Sequence, residues 1–448
     1  MFKTDFLFFY IDNMQLALWC LFTSLLVTYL MMRKLIYSIF EPMFFFFLLS
    51  GSGYSVVLLL YLKEKISDFY FFSFVFTQLL FFLSWRIFAS DRNDRNDRND
   101  RNAMKIDSTS IFFYYISVVL FISCQLIVYK VIGIPLFMDS RLDAFSGGGG
   151  IGTLDRIIFV SGIVAYAFAF FRISMKINRN IIEKLVDLLV IVFMSVSKAL
   201  SGSKAGVLDL VFFAALTIIF LRSTVSDFSV EKRINKIFSL AILISFPMGM
   251  LTYIIQMSNS SEDAGDILSL LAKFMFRFVN TGDIYYLSWV NDYISRVSSE
   301  NGIVALFSDF LGSTRLMERA QLPEHLGFAV FLEHTTTPNT IGPNARFNVF
   351  SLHYFGLIGS IPFVIICGML CGFIRGRLRY ILPKTTSSLM LYVVLAYSAT
   401  FIEQDPNSMF LKYIWNIMLY YSSVYLLCYL LSAAAKPINM RRTFEPVR

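Results

Sequence analysis

Charge is what this sequence has little of. Of its 448 residues only 16% are Asp, Glu, Lys or Arg, where an ordinary soluble domain carries about a quarter. Histidine is scarcer still, with three copies, His325, His334 and His353. There is no His-x-x-x-His spacing, no Walker A loop, no Gly-x-Ser-x-Gly turn and no dinucleotide fingerprint. These absences exclude the familiar sequence routes to zinc hydrolysis, NTP hydrolysis and serine acyl transfer. The five cysteines, Cys20, Cys124, Cys367, Cys371 and Cys428, all fall inside apolar runs. They read as small lipid-phase side chains, neither disulfides nor metal ligands.

What is present is apolar surface. Hydrophobic residues make up 56% of the chain, Phe alone supplies 49, and the mean hydropathy is +0.64. No soluble core buries that much, so the solvent is largely lipid. The fold class expected is an all-α polytopic membrane protein. Spans need roughly 20 apolar residues, and eleven segments qualify, with ten or twelve as neighbouring counts. They are Met14–Met32, Met43–Leu62, Phe69–Ala89, Ile111–Val131, Ile157–Phe171, Ile182–Val196, Val207–Leu221, Ile237–Ile255, Phe350–Ile374, Ser388–Phe401 and Phe410–Leu431. This divides the chain into an N-terminal membrane bundle (1–255), a long polar loop (256–348), three C-terminal membrane helices (349–435) and a tail (436–448). The opening stretch lacks a basic n-region and a small-residue cleavage site, so it is expected to stay as part of the first span.

Within the loop 90–107, Asp91–Asn102 is four copies of Asp-Arg-Asn. A tripeptide that regular builds no core and reads as a tolerated expansion. Lys and Arg concentrate in alternate loops, which places the N-terminus outside and the C-terminus in the cytoplasm. The net charge of +8 is then a topology signal, with no nucleic-acid partner implied. The outer loops become 134–156, 198–206, 256–348 and 403–408. The long one is expected to form three short amphipathic helices, Ile267–Val279, Ile284–Val297 and Ile303–Met317, lying on the membrane or roofing a cavity.

Several outer residues have chemistry to offer. Arg141 sits beside Gly147–Gly150, where bare backbone and a guanidinium fork suit phosphate, or where a flexible turn carries solvated charge. Lys198 and Lys204 flank a tight turn and either meet phosphate or snorkel. Arg315 and Arg319 share a face if the segment is helical. Arg346 precedes a span and is expected at headgroup depth, as an anchor or an anion ligand. Glu333 and His334 are candidate general bases, although a loop histidine is often only a surface hydrogen-bonding residue. His325 has the weaker claim. His353 falls inside the ninth span, where an ionisable side chain raises a functional question.

Three stretches carry a likeness: GIPLFMDSRLDAFSGGGGIGTLDR after a span, SGSKAG between two tight spans, and TTTPNTIGPNARFNVFSLHYFGLIGSI at the end of the long loop. Together they resemble O-antigen (oligosaccharide repeat-unit) polymerases of the Wzy type. The resemblance implies a GT-C-like multi-spanning fold in the bacterial inner membrane. It implies transfer of a growing glycan from undecaprenyl pyrophosphate to a new lipid-linked repeat unit at the periplasmic face, without cofactor or metal. On that reading Arg141, Lys204, Arg315, Arg319 and Arg346 face the pyrophosphate. Glu333 or His334 takes the acceptor proton, with Asp143 in reserve. Partners would be the lipid-linked donor and acceptor, membrane lipid and a chain-length-regulating co-polymerase of the Wzz type. The rival readings are an O-antigen ligase and a lipid-linked oligosaccharide flippase. A flippase is disfavoured by the long loop and by the lack of repeating halves.

Overall fold

A computed structural model describes residues 2–33, 35–38, 40–89, 104–138, 151–175, 177, 180–203, 206, 208–222, 235–239, 242, 243, 247, 249, 251, 278–334 and 342–434. Everything regular in these residues is helical, and the only β contact among them is an isolated bridge between Lys105 and Thr385. The long helices are α1 (Phe2–Asp12), α2 (Met14–Met32), α3 (Pro42–Leu62), α4 (Asp68–Ala89), α5 (Ser108–Val131), α6 (Ile151–Ser174), α7 (Ile181–Leu200) and α8 (Leu208–Arg222). The polar interval supplies α9 (Asp283–Trp289), α10 (Gly302–Ser313) and α11 (Leu326–Leu332). After it come α12 (Phe347–Arg375), α13 (Thr386–Ala399), α14 (Pro406–Leu411), a π-helical stretch Lys412–Tyr421, and α15 (Ser422–Ala434).

Seven helices among the described residues are long and apolar enough to cross a membrane. The protein is therefore a helical membrane protein, and the seven fall on seven of the eleven expected segments. Three of the others also form helices, but of a different kind. Helix α8 (15 residues) and α13 (14 residues) are about 21–22 Å long, short of the roughly 30 Å hydrocarbon core. Helix α7 carries Glu183, Lys184, Asp187 and Lys198, with Asp187, Val190, Met194 and Ser197 inward and Ile181, Leu185, Leu188 and Val192 outward. The eighth expected span, Ile237–Ile255, lies mostly outside the described residues.

Local chemistry sets the helix starts. Pro42 opens α3 at a position whose N–H needs no partner. The Asp107 carboxylate caps α5 by accepting from the Ser110 N–H at 3.0 Å. The same carboxylate accepts from the hydroxyls of Thr386 and Ser387 at 2.9 and 2.5 Å, so one acid fastens the starts of α5 and α13 together. Glu41, just before α3, is paired with Arg375 at 2.6 Å. Arg172, Arg222, Arg375, Arg379 and Lys384 thus mark one end of the bundle, the basic end. The polar interval occupies the other, the loop end.

Helix α8 is buried on every side from Asp209 to Leu221 and forms the bundle axis. Helices α4 and α12 pack closest. Gly368, Gly372 and Gly376 each lie against α4 backbone, at Phe81, Trp85 and Ala89 in turn. Both sets are spaced by four, so the helices run parallel with a small-residue stripe between them.

Helix α12 is not one straight rod. The Phe347 ring is 4.8 Å from that of Phe81, and Gly368 also abuts Phe81. In a straight helix, positions 347 and 368 would be about 31 Å apart. The chain reverses at Gly356 (φ 63°, ψ −176°), a conformation open essentially to glycine alone. Phe350 and Phe363 meet across the hairpin at 6.0 Å. The continuous ninth span expected from hydropathy is therefore two limbs. The first, 347–355, rises from mid-depth to the loop end, and the second, 357–375, runs back to the basic end.

The described part of the polar interval does not lie flat over the bundle, and the helix expected over 267–279 falls almost wholly outside the described residues. Residues 278–289 sink between the membrane helices as a wedge. The Gly282 backbone lies on that of Gly53 so closely that a Cβ would stand 2.5 Å from the Gly53 carbonyl. Tyr285 and Trp289 are buried among Phe74 and Tyr70. The helix expected over 284–297 stops at Trp289, because Asn291 and Asp292 take left-handed φ.

Candidate functional site

The expected site residues disperse. Arg141, Asp143 and Lys204 lie outside the described residues, as does the side chain of Arg319. Arg315 is exposed and left-handed (φ 57°), beyond the end of α10 at Ser313, while Arg319 begins a separate 3₁₀ turn. The shared helical face expected for that pair does not form. Glu333 is exposed at the end of α11. His334 turns inward, with Nε2 2.7 Å from the Leu287 carbonyl and its ring 4.2 Å from Tyr293. It fastens α11 to the wedge. His353 is near the hairpin tip, bonded to the Ser298 carbonyl at 3.0 Å. Lys198 is paired with Asp209 at 2.6 Å.

Arg346 departs furthest from expectation. It is 3% exposed, and its guanidinium donates to the Thr281 carbonyl at 3.0 and 2.6 Å and to Ser50 Oγ at 2.8 Å. Ser50 lies about 12 Å along α3 from the basic end, so this arginine sits inside the bundle and not among headgroups. Its N–H donates to the Gln404 carbonyl at 3.0 Å, and its φ is +41°. A strained backbone and a fork of three donors hold the wedge, α3 and the 400–405 turn at one point.

Beside it is a buried polar chain. Tyr285 OH donates to Asn348 Oδ1 at 3.0 Å, and Gln78 Nε2 donates to Tyr54 OH at 2.8 Å and to Glu403 Oε1 at 3.0 Å. Glu403 is 1% exposed, and its Oε2 has no hydrogen-bond partner among the described residues. A bare carboxylate there would lose its hydration with no cation touching it, a cost of several kcal/mol.

The most accessible chemistry is at the loop end. His325 Nε2 is 2.9 Å from Asp405 Oδ2, with the histidine side chain 35% exposed and the aspartate 9%. Ser408 Oγ also donates to Asp405 Oδ2 at 2.8 Å, and the Asn407 N–H donates to Oδ1 at 3.1 Å. Burial alone would lower the His325 pKa. The Asp405 carboxylate, by charge and hydrogen bond, and the Asp309 charge outweigh it, and the net shift is upward. Burial works the other way on Asp405, where His325 and Ser408 overcome it and lower the carboxyl. Asp309 on α10 and Arg156 on the first turns of α6 complete the charged surround. With Nε2–H donated to Asp405, Nδ1 is left as the ring's acceptor atom.

Next to Arg156, Asp155 lines a cavity of about 150 Å³ between α5, α6, α7 and α8. The Lys198–Asp209 pair forms part of its wall. Asp309 is the electrostatic link between the dyad and Arg156, the neighbour of Asp155 in the chain. Among the described residues, no group of three His, Cys, Asp or Glu is placed to hold a metal ion.

Sequence reasoning undervalued His325 and passed over Asp405, Glu403 and Gln78. One signal was available: Glu403 and Asp405 lie in a six-residue break between apolar runs, in a chain poor in acids. No family model, curated protein or solved structure matches this chain.

Proposed function

We propose that this protein transfers glycan between lipid-linked carriers at its loop end. It extends undecaprenyl-pyrophosphate-linked oligosaccharide repeat units into O-antigen or a similar surface polysaccharide. On this reading the loop end faces the periplasm of a bacterial inner membrane and the basic end faces the cytoplasm. The chain crosses eleven times in a GT-C-like arrangement, with the short helices α8 and α13 counted as crossings. The observation that carries the proposal is the dyad of a partly exposed His325 and a buried Asp405, at the end of the bundle opposite its basic loops.

Asp405 fixes the imidazole tautomer, so Nδ1 accepts the proton of the acceptor hydroxyl. That oxygen forms a bond to C1 of the donor's first sugar. The C1–O bond to pyrophosphate breaks, and the lipid pyrophosphate leaves with the electron pair. Cations near the leaving group stabilise the charge that develops, and Arg156, which shares Asp309 with the dyad, is the described candidate. Arg141, Lys204, Arg315 and Arg319 remain proposed contributors. Arg346 acts from inside, by holding the 400–405 turn that carries Asp405. Exposed Glu333 is the alternative base.

Purified protein given synthetic lipid-linked repeat units should build a ladder of products. His325→Ala and Asp405→Asn should each slow elongation by about 10²–10⁴-fold with normal expression. Wild-type ladders from both variants would remove the dyad from the mechanism. Absence of elongation by the wild-type protein would remove the polymerase reading itself.

A further inference from the structure

Five Asp and Glu side chains are buried among the described residues: Glu41, Asp187, Asp209, Glu403 and Asp405. Four of them touch a basic group. Glu41 meets Arg375 at 2.6 Å, Asp187 meets Arg172 at 3.4 Å, Asp209 meets Lys198 at 2.6 Å and Asp405 meets His325 at 2.9 Å. Glu403 is the exception. Its carboxyl accepts from the Gln78 amide at 3.0 Å, and the Ser50 hydroxyl lies close enough to act on its charge. Both groups are neutral.

The cation closest to it is occupied elsewhere. Arg346 donates to Ser50 Oγ at 2.8 Å, which leaves it one hydroxyl away from the acid. The rest of its fork is spent on the Thr281 carbonyl, and the carboxylate that acts on it is Asp283 of the wedge. The titratable or charged groups around Glu403 are therefore Tyr54 on α3, Asp283 and Tyr285 on the wedge, Arg346 before α12, and Asp405 with its His325 along the turn. Helix α4 contributes the neutral Gln78, and Phe401 of the same turn packs on Phe46. An ionised carboxylate loses its hydration in such a place, and neutral donors do not restore it. The un-ionised acid fits. One oxygen accepts from Gln78, and the O–H can donate to Ser50 Oγ, which has a second lone pair beside the one that Arg346 uses.

We propose that Glu403 is a proton-binding site inside the bundle, filled at neutral pH, that joins α3 and α4 to the turn carrying Asp405. Loss of the proton acts as a switch. A carboxylate one hydroxyl away from Arg346 competes with the Thr281 carbonyl for the guanidinium, and the wedge loosens. The inference does not depend on which reaction the loop end performs.

Infrared spectra of the full chain in lipid nanodiscs read the proton directly, because an un-ionised carboxyl gives one carbonyl band where a carboxylate gives two. The difference between wild type and Glu403→Gln at neutral pH should contain the un-ionised band. That band should give way to the carboxylate pair as pH rises past about 8–9, where fully buried glutamic acids ionise. Glu41→Gln is the contrast, and its difference spectrum should contain the carboxylate pair already at neutral pH. Melting gives a second reading. At neutral pH the wild-type acid must take up a proton on folding and the amide need not, so Glu403→Gln should melt no lower than wild type. The gap should widen as pH rises above about 4.3, the ordinary value for glutamate, and level off once the folded acid ionises. Glu41→Gln leaves Arg375 without its partner and should melt lower. Once the acid has ionised, backbone amides of 278–289 should exchange faster in wild type than in Glu403→Gln, and equal exchange overturns the switch. The proton site itself is overturned by a carboxylate signal from Glu403 at neutral pH. It is equally overturned if Glu403→Gln melts several degrees below wild type or fails to fold, which is what loss of an ion pair produces.

Discussion

At the scale of single residues, His325 gives stability and activity opposite responses to pH. Its folded pKa is raised above the ordinary value of about 6.5. The pairing therefore stabilises the fold fully below that value, and the contribution is lost as pH rises through the raised one. Asp405 is lowered, so its share is present above about 3.9 and is lost as pH falls through its folded value. The base reaction needs neutral imidazole, so elongation should climb over the very range in which the pair's stabilisation declines. Melting temperatures of wild type and His325→Gln should converge as pH rises past neutrality while wild-type elongation increases. Parallel falls in both quantities would exclude His325 as the base. None of this pairing is local in sequence. His325 and Asp405 are 80 residues apart, and Gln78 and Glu403 are 325 apart. The sequence displays the acids and the histidine, but their meeting depends on how the 400–405 turn packs under the polar interval. The same holds for Arg346, whose position before an apolar run suggested headgroups and whose three donors turn inward instead.

At the scale of elements, hydropathy and length recovered the long helices well because both are local properties. Met14–Met32 coincides with α2, and Phe69–Ala89 differs from α4 by one residue. Direction is a different matter. The run from Phe347 to Arg375 is apolar throughout, and nothing in its hydropathy says that it doubles back. Only Gly356 marks the reversal, through a conformation that a Cβ strains. Gly356→Ala should cost of order 1–3 kcal/mol in unfolding free energy. Gly152→Ala, on open space near the start of α6, is the control and should stay within about 1 kcal/mol of wild type. Equal effects in denaturant titrations of the two variants would argue against the hairpin. Helices α8 and α13 were equally plain as apolar runs, and their apolar side chains are buried by neighbouring helices.

For the whole molecule, the separation of charge is the organising feature. Arg172, Arg375 and Arg379 are each at most 9% exposed at the basic end, held by Glu183 and Asp187, by Glu41, and by backbone carbonyls. The dyad, the cavity and the hairpin tip share the other end. An enzyme reporter that is active only outside the cytoplasm should be on when fused at Ser299, and off when fused after Arg375. A silent reporter at Ser299 would invert the orientation and remove the periplasmic reading with it.

Arg346 binds Ser50 across 296 residues of chain, and that separation has a meaning in time. At 5–20 residues per second, synthesis takes roughly 15–60 s to travel from one to the other. For most of that interval α3 stands with Ser50 lacking Arg346 and Ser52 lacking its partners Phe278 and Thr281 on the wedge, whose Thr281 is itself made 65 residues before Arg346. Until those partners are made, the nascent protein keeps the two hydroxyls satisfied by water or by a chaperone, while Gln78 already has Tyr54. The bundle is completed from its last-made segment inward.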